Sequence, residues 1–308
     1  MRVGLTGRAR SVVVFSTCSP PMFKNTFFAA LLLSLCSVAW SAVSIGSAHA
    51  LVVDEETGEV LLEKDASTAA PIASMTKLMT AMVVLDARLA PDQTITIDAA
   101  DLDRLKNTQS GVPVGSSFKR RTLIELALMS SDNRAAAALA RTYTGGHAGF
   151  LAATRRKIEA LGLEDTVLVE PTGLSPNNHA TAHDMAKILK AASDYPEIVA
   201  ATSQSSNRIR VNGKARLFRN TNRLVGMPGW DISVSKTGFT REAGRCVTMR
   251  IEAAGRKLLV VLMGAVAGSE RVIDAYNIQR LVGVDLPMAA PAPKALKPRA
   301  KRVTYRRR

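Results

Sequence analysis

Cysteine is nearly absent from this chain: three occur in 308 residues, Cys18, Cys36 and Cys246. The first two fall in a leader-like segment, which leaves one thiol for the rest. A lone cysteine makes neither an internal disulfide nor a thiolate metal cage, and Cys246-Val247-Thr248-Met249 reads as the setting of a small buried hydrophobe. Histidine is scarce as well. His179 and His183 stand at an i, i+4 spacing that suits zinc, but no Glu completes an H-E-x-x-H arrangement. They are read as loop and helix-start residues, His147 after Gly145-Gly146 as a turn, and no metal or other cofactor is expected. No repeat of roughly 20–50 residues is visible, which argues against a solenoid or propeller.

Acidic residues are missing from both ends. Residues 1–42 carry Arg2, Arg8, Arg10 and Lys24 with no acid, and residues 287–308 carry eight Lys or Arg with no acid. Removing these twelve charges from the formal +15 leaves +3 for the middle. At the start, Lys24 precedes the apolar run Phe27 to Leu35, and no Asp, Glu, Lys or Arg occurs from Asn25 through Val53. This is the form of a secretory n-region and h-region, with Met22 as an alternative start. An uncleaved membrane anchor is the competing reading; the many Ser residues and the lack of a stop-transfer charge cluster favour cleavage. Ala48-His49-Ala50 has the look of a cleavage signal, but a cut there would remove half of a strand, so the cut is placed near Ala39 to Ala42. Cys36 follows Leu35 and is read as part of the h-region rather than a lipidated residue.

The expected organisation is a signal peptide over 1–42, one domain over 43–286 and a disordered basic tail over 287–308. The tail is rich in Pro and Ala, and only Tyr305 offers a ring to stack on a base, so no nucleic-acid partner is expected. In an exported, periplasmic protein the accessible partners of such a tail are anionic wall polymers or lipid headgroups.

The remainder is ordinary globular composition, 47% hydrophobic and 22% charged. Ala50–Val53 and Val60–Leu62 flank a polar segment containing Gly58, the pattern of a β-hairpin. Leu78, Met82, Leu85 and Leu89 predict a helix from near Ser74 to before Pro91. Thr122–Met129, Arg134–Arg141, Gly149–Leu161 and a segment after Thr181 are helical in tone. Strands follow from about Asn207: Arg208–Val211, Ile232–Ser235, Val247–Ile251 and Leu258–Met263, with a turn at Ala254-Gly255 and a closing helix through Ala275, Ile278, Leu281 and Val282. Sheet elements at both ends predict that the termini meet in one sheet, with a site between sheet and helices.

Three short motifs carry chemistry. Ser74-Met75-Thr76-Lys77 places a hydroxyl and an ammonium three residues apart on one helix face. Ser131-Asp132-Asn133 lies between two helical segments, and Lys236-Thr237-Gly238 directly follows a strand. Each has a plain alternative as a helix cap or a strand-ending turn. In this order they match the Ser-x-x-Lys, Ser-x-Asn and Lys-Thr-Gly set of penicillin-binding proteins and serine β-lactamases.

From about Ser47 to Val282 the chain resembles the low-molecular-mass D-alanyl-D-alanine peptidases, most closely the endopeptidase branch. The likeness extends through Pro71-Ile72-Ala73-Ser74, Leu128-Met129-Ser130-Ser131, Glu170-Pro171-Thr172-Gly173-Leu174 and Asn220-Thr221-Asn222. It implies an α/β (α+β), β-lactamase/transpeptidase-like fold: an antiparallel sheet with flanking helices and an all-helical subdomain. It further implies a serine D,D-peptidase acting on peptidoglycan stem peptides and inhibited by β-lactam antibiotics.

A serine hydroxyl needs an adjacent base, and Lys77 serves if burial and the cation Lys236 lower its pKa. Ser131 would relay the proton, and Asn133 would hold Lys77 and the substrate without adding charge. Lys236 and Thr237 would bind a carboxylate beside the scissile bond, and Gly238 would admit the substrate backbone. The resemblance puts the oxyanion hole on the N–H groups of Ser74 and Phe239.

A β-lactamase is a rival reading, with Glu170 as deacylating base, but Thr-Gly-Leu after Glu170-Pro171 matches the peptidases. A carboxypeptidase is the other alternative. The end of the chain soon after Val282 and Thr221, at a position where the larger carboxypeptidases carry Arg, tilt the expectation toward an endopeptidase.

Overall fold

A computed structural model describes residues 44–286; the expected signal peptide and basic tail lie outside them. Strands β1 (His49–Asp54) and β2 (Val60–Lys64) form the expected hairpin. Asp54 shapes its connection, accepting the amides of Glu56 and Thr57 at 3.0 Å each. The short β3 (Ala70–Pro71) leads to a 3-10 turn at Ala73–Met75 and then to α1 (Thr76–Asp86). Next come β4 (Thr94–Thr96), β5 (Ser117–Lys119), α2 (Arg120–Met129), α3 (Asn133–Arg141) and α4 (Gly146–Ala160). They are followed by β6 (His179–Ala180), α5 (Ala182–Ala192) and α6 (Pro196–Ser203). The hairpin β7 (Ser206–Val211) and β8 (Lys214–Arg219) precedes β9 (Asp231–Thr240), β10 (Gly244–Ala253), β11 (Arg256–Ala265) and α7 (Gly268–Leu281).

The main sheet has the order β2-β1-β11-β10-β9, antiparallel throughout. His49–Asp54 pairs with Leu258–Met263, so the two ends of the domain meet in one sheet. Residues 258–263 show no polar alternation because both faces are covered. Leu258, Val260 and Leu262 join the core that includes Tyr276 and Ile278 of α7, whereas Leu259, Val261 and Met263 join the core under the other helices. Helix α1 is buried from Thr76 through Val84, hence its lack of a single apolar stripe. It ends at Asp86, before Leu89, where Arg88 takes a left-handed φ of 48°.

The structure departs from the sequence reading in places. Lys236-Thr237-Gly238 lies inside β9 rather than after a strand, because this edge strand borders the helical subdomain and its inward residues are polar. His147 belongs to the first turn of α4, not to a turn before it. Strands β4, β5 and β8 and helix α6 carry too little periodicity to be read. Among the described residues, no helix is long and apolar enough to cross a membrane.

Candidate active site

Ser74 lies in the middle of the 3-10 turn, after Ala73, whose φ of 46° is unusual for a residue with a Cβ. Two glycines hold this turn. At Gly173, φ 82°, a Cβ would fall on the Ala73 carbonyl and 2.8 Å from Ser74 N. At Gly238 it would come 2.9 Å from Ile72 O and 3.2 Å from Ser74 N. Besides the substrate backbone that the sequence leads one to expect there, the missing Cβ of Gly238 makes room for the serine turn. Gly173→Ala is therefore expected to cost ~3 kcal/mol, from a strained φ together with a backbone collision, and to slow penicillin acylation as Ser74 shifts. Denaturant unfolding and acylation kinetics measure both, and a variant as stable and as fast as the parent would show that the turn is not clamped.

Lys77, the second residue of α1 and one turn after Ser74, is wholly buried. Its Nζ lies 2.8 Å from Ser74 Oγ, 2.7 Å from Asn133 Oδ1 and 2.7 Å from the Thr172 carbonyl. The last two oxygens can only accept. A neutral amine has two N–H bonds for them and a lone pair left for the Ser74 hydroxyl, which is the arrangement of a base. The orientation of Asn133 follows from its other neighbours. Thr108 donates to Asp103 Oδ2 at 2.7 Å, so its oxygen accepts from Asn133 Nδ2 at 2.8 Å and Oδ1 faces Lys77. Burial raises the Asp103 carboxyl, but the amides of Thr108 and Lys106 outweigh it and hold the group below its ordinary pKa.

Burial pushes the pKa of Lys77 down to about 8, against the upward pull of Glu170, Asp132 and Asp103. Lys236, the second lowering influence expected from the sequence, is not among the charges that shift Lys77. In the structure Lys236 carries that repulsion: burial first, then the charges of Lys77 and Arg271, set its pKa well below the ordinary lysine value.

Ser131 takes a left-handed φ of 58° between α2 and α3 and accepts from Lys236 Nζ at 2.9 Å. Lys236 also donates to the Thr237 carbonyl at 3.0 Å, and Thr237 Oγ1 is 2.7 Å from Thr221 Oγ1. Asp132 is a helix cap after all, accepting from Ala135 N at 3.1 Å, with its other oxygen held by Ser110 Oγ at 2.7 Å and Gly111 N at 3.0 Å. Phe239, half exposed, stacks on the Arg245 guanidinium 4.5 Å away. Ser74, Lys77 and Asn133 thus form one bonded group and Ser131, Lys236 and Thr237 another, with Gly238 abutting the Ser74 amide.

Thr108, Asp103, Thr172 and Arg271 escape sequence reading. Arg271 of α7 donates to the Cys246 carbonyl at 3.1 Å and is near enough to repel Lys236. Cys246 is buried, which raises its thiol to about 11. Glu170 is occupied elsewhere: its carboxylate accepts the amides of Thr172 at 2.7 Å and Gly173 at 2.6 Å and Asn178 Nδ2 at 3.1 Å. It fixes the loop that offers Thr172 to Lys77. His183 binds Glu63 at 3.0 Å, and among the described residues no group of three His, Cys, Asp or Glu is placed to hold a metal. A cavity of about 420 Å³ opens beside Asn133 and Thr172, lined also by Leu102, Asp103, Leu105 and His147.

The profile of the family described as D-alanyl-D-alanine carboxypeptidase matches residues 37–267. The chain is 40% identical to a D-alanyl-D-alanine endopeptidase of Pseudomonas aeruginosa over 80% of its own length and 81% of that protein. It is also 40% identical to one of Escherichia coli K12, over 82% of each. Among solved structures it resembles the Streptomyces K15 DD-transpeptidase, with a TM-score of 0.72 and 25% identity over 78% of this chain and 97% of that one.

Proposed function

Since the chain belongs to the D-alanyl-D-alanine carboxypeptidase family and is a serine D,D-peptidase, we propose that its preferred bond is the D-alanyl–meso-diaminopimelate cross-link of peptidoglycan. The observation that carries this preference is the 40% identity to two endopeptidases across four-fifths of their length. Thr221 adds to it: a hydroxyl, not a cation, stands beside Thr237 at the carboxylate end of the cleft. The diaminopimelate leaving group still offers a carboxylate next to the cut bond, so Lys236, Thr237 and Arg271 can hold either kind of substrate. An arriving carboxylate offsets the repulsion that Lys236 feels and favours its charged form.

In the proposed mechanism Ser74 Oγ attacks the D-alanyl carbonyl while its proton passes to Lys77 Nζ. The developing oxyanion is met by the N–H groups of Ser74 and Phe239. Ser131, whose oxygen accepts from Lys236, keeps its own O–H for the departing amine and relays the proton from the base. Water then attacks the acyl carbon, Lys77 again takes a proton, and Ser74 recovers its hydrogen as the product leaves. Penicillin would stop at the acyl stage. The acid-poor leader supports an exported, periplasmic location, with peptidoglycan stem peptides as partners.

Digestion of purified cross-linked muropeptide dimers beside uncross-linked pentapeptide, with products separated by mass, tests the preference. Dimers are expected to split into monomers faster than pentapeptide loses D-Ala. Brisk trimming of pentapeptide with dimers left intact would replace the endopeptidase with a carboxypeptidase.

A further inference from the structure

We propose that the outer face of the β7–β8 hairpin is a second binding surface, one that grips the free carboxylates of peptidoglycan stem peptides next to the one being cut. The proposal rests on the peptidoglycan reading above. No Asp or Glu occurs between Glu197 and Asp231, and the hairpin within that stretch carries Arg208, Arg210, Lys214, Arg216 and Arg219, all exposed.

The register sorts these cations. Arg208 lies opposite Leu217, Arg210 opposite Ala215 and Arg219 opposite Ser206, so these three arginines share one face. The other face is committed to the fold: Ile209, Val211 and Phe218 enter the core, and Arg216 lies over the Phe218 ring and donates to the Gly111 carbonyl at 2.8 Å. An Asn212-Gly213 turn, φ 48° and 80°, closes the hairpin with the twist such ribbons need. Among the described residues, no carboxylate pairs with Arg208, Arg210 or Arg219. The outer face is therefore an ordered strip of unneutralised guanidinium groups with Leu217 between them.

Its position relates it to the cleft. Arg219 is two residues before Thr221, which bonds to Thr237, and Ala215, opposite Arg210, is six residues before it. An extended chain covers at most ~3.5 Å per residue, so the strip begins beside the proposed carboxylate end and reaches no more than about 20 Å from it. Arg216 and Gly111 fix the hairpin to the Ser110–Asp132 contact of the site. Stem peptides bear free carboxylates at repeated positions, and a planar guanidinium binds a carboxylate through two parallel hydrogen bonds. A small soluble peptide would not reach the strip, whereas a cross-linked polymer held in the cleft would pass along it.

The test compares the full-length protein with R208S/R210S/R219S and R208K/R210K/R219K. Retention on purified sacculi at low salt should fall roughly tenfold in the Ser variant and less in the Lys variant, because the charge remains. Amidating the sacculus carboxyls should weaken the parent to a similar degree. Penicillin acylation and pentapeptide turnover should stay unchanged in both variants. Unaltered sacculus retention in the Ser variant would overturn the proposal. So would retention indifferent to amidation, or a loss seen only on vesicles of anionic phospholipid. A parent that penicillin does not acylate would instead refute the peptidase reading, a separate outcome from the binding result.

Discussion

Ser74→Ala is expected to abolish both dimer cleavage and covalent labelling by fluorescent penicillin, a fall of ~10⁴-fold or more for a lost nucleophile. The prediction is sharper than the sequence allowed, because the structure contains two serine–lysine pairs. Ser131 is 2.9 Å from Lys236 Nζ, almost as close as Ser74 is to Lys77 at 2.8 Å. They differ in what surrounds them. Ser74 has its own amide beside the Gly238 backbone, where an oxyanion can be met, and a lysine whose other two partners leave only the lone pair for the hydroxyl. Ser131 accepts from a lysine that donates also to the Thr237 carbonyl, and among the described residues no second side chain holds it as Asn133 holds Lys77. Labelling of purified Ser74→Ala, with Ser131→Ala retaining its label, would exchange the two roles. Thermal melting separates this from misfolding, since Ser74 makes no packing contact that Ala would lose beyond one hydroxyl.

The three motifs were legible because each needs its chemistry within a few residues. Ser-x-x-Lys is a helix-face spacing, and a Gly next to Lys-Thr announces close backbone approach. The supports were not legible. Thr108 and Asp103 meet Asn133 only because the segment between β4 and β5 folds back on α3, and nothing in Asp103–Thr108 repeats or alternates to say so. Thr172 contributes a carbonyl, which no side-chain pattern encodes. Arg271 is one of two arginines on α7, and nothing sets it apart from Arg280 until the helix packs against the sheet. The sheet itself was readable in its buried strands, whose apolar runs are long. Its edge strand β9 reads short, because Lys236 and Thr237 look like an ending when they in fact continue the strand and bond to Ser131 and Thr221.

Glu170 illustrates the same limit from the other side. Its type and place suggested a deacylating base, yet its two oxygens are taken by backbone and side-chain donors of residues 172–178. A carboxylate so occupied has little capacity left to activate a water. Its charge still acts at a distance, pulling the pKa of Lys77 upward against burial. Glu170 is thus a positioning residue whose charge, with those of Asp132 and Asp103, partly offsets the effect of burial on Lys77.

Lys77→Arg is expected to be nearly as damaging as Lys77→Ala, reducing acylation by a factor of ~10³ or more relative to the parent, because a guanidinium does not lose its proton at working pH. Charge is conserved in this substitution and only basicity is lost, so it separates a base from a merely electrostatic partner. The pH profile gives the second half of the argument. With the Lys77 pKa near 8, most molecules carry the ammonium at neutral pH and only the minority with a free amine react. The acylation rate should therefore rise about tenfold per pH unit below that value and flatten above it. The sign follows from the base being the deprotonated form. Stopped-flow acylation by a chromogenic β-lactam between pH 5 and 9 measures the profile. The Arg variant should show no such rise. A parent whose rate falls as pH increases toward 8, or an Arg variant acylating at the parental rate, would place the base elsewhere, and Lys236 beside Ser131 would be the next residue to replace.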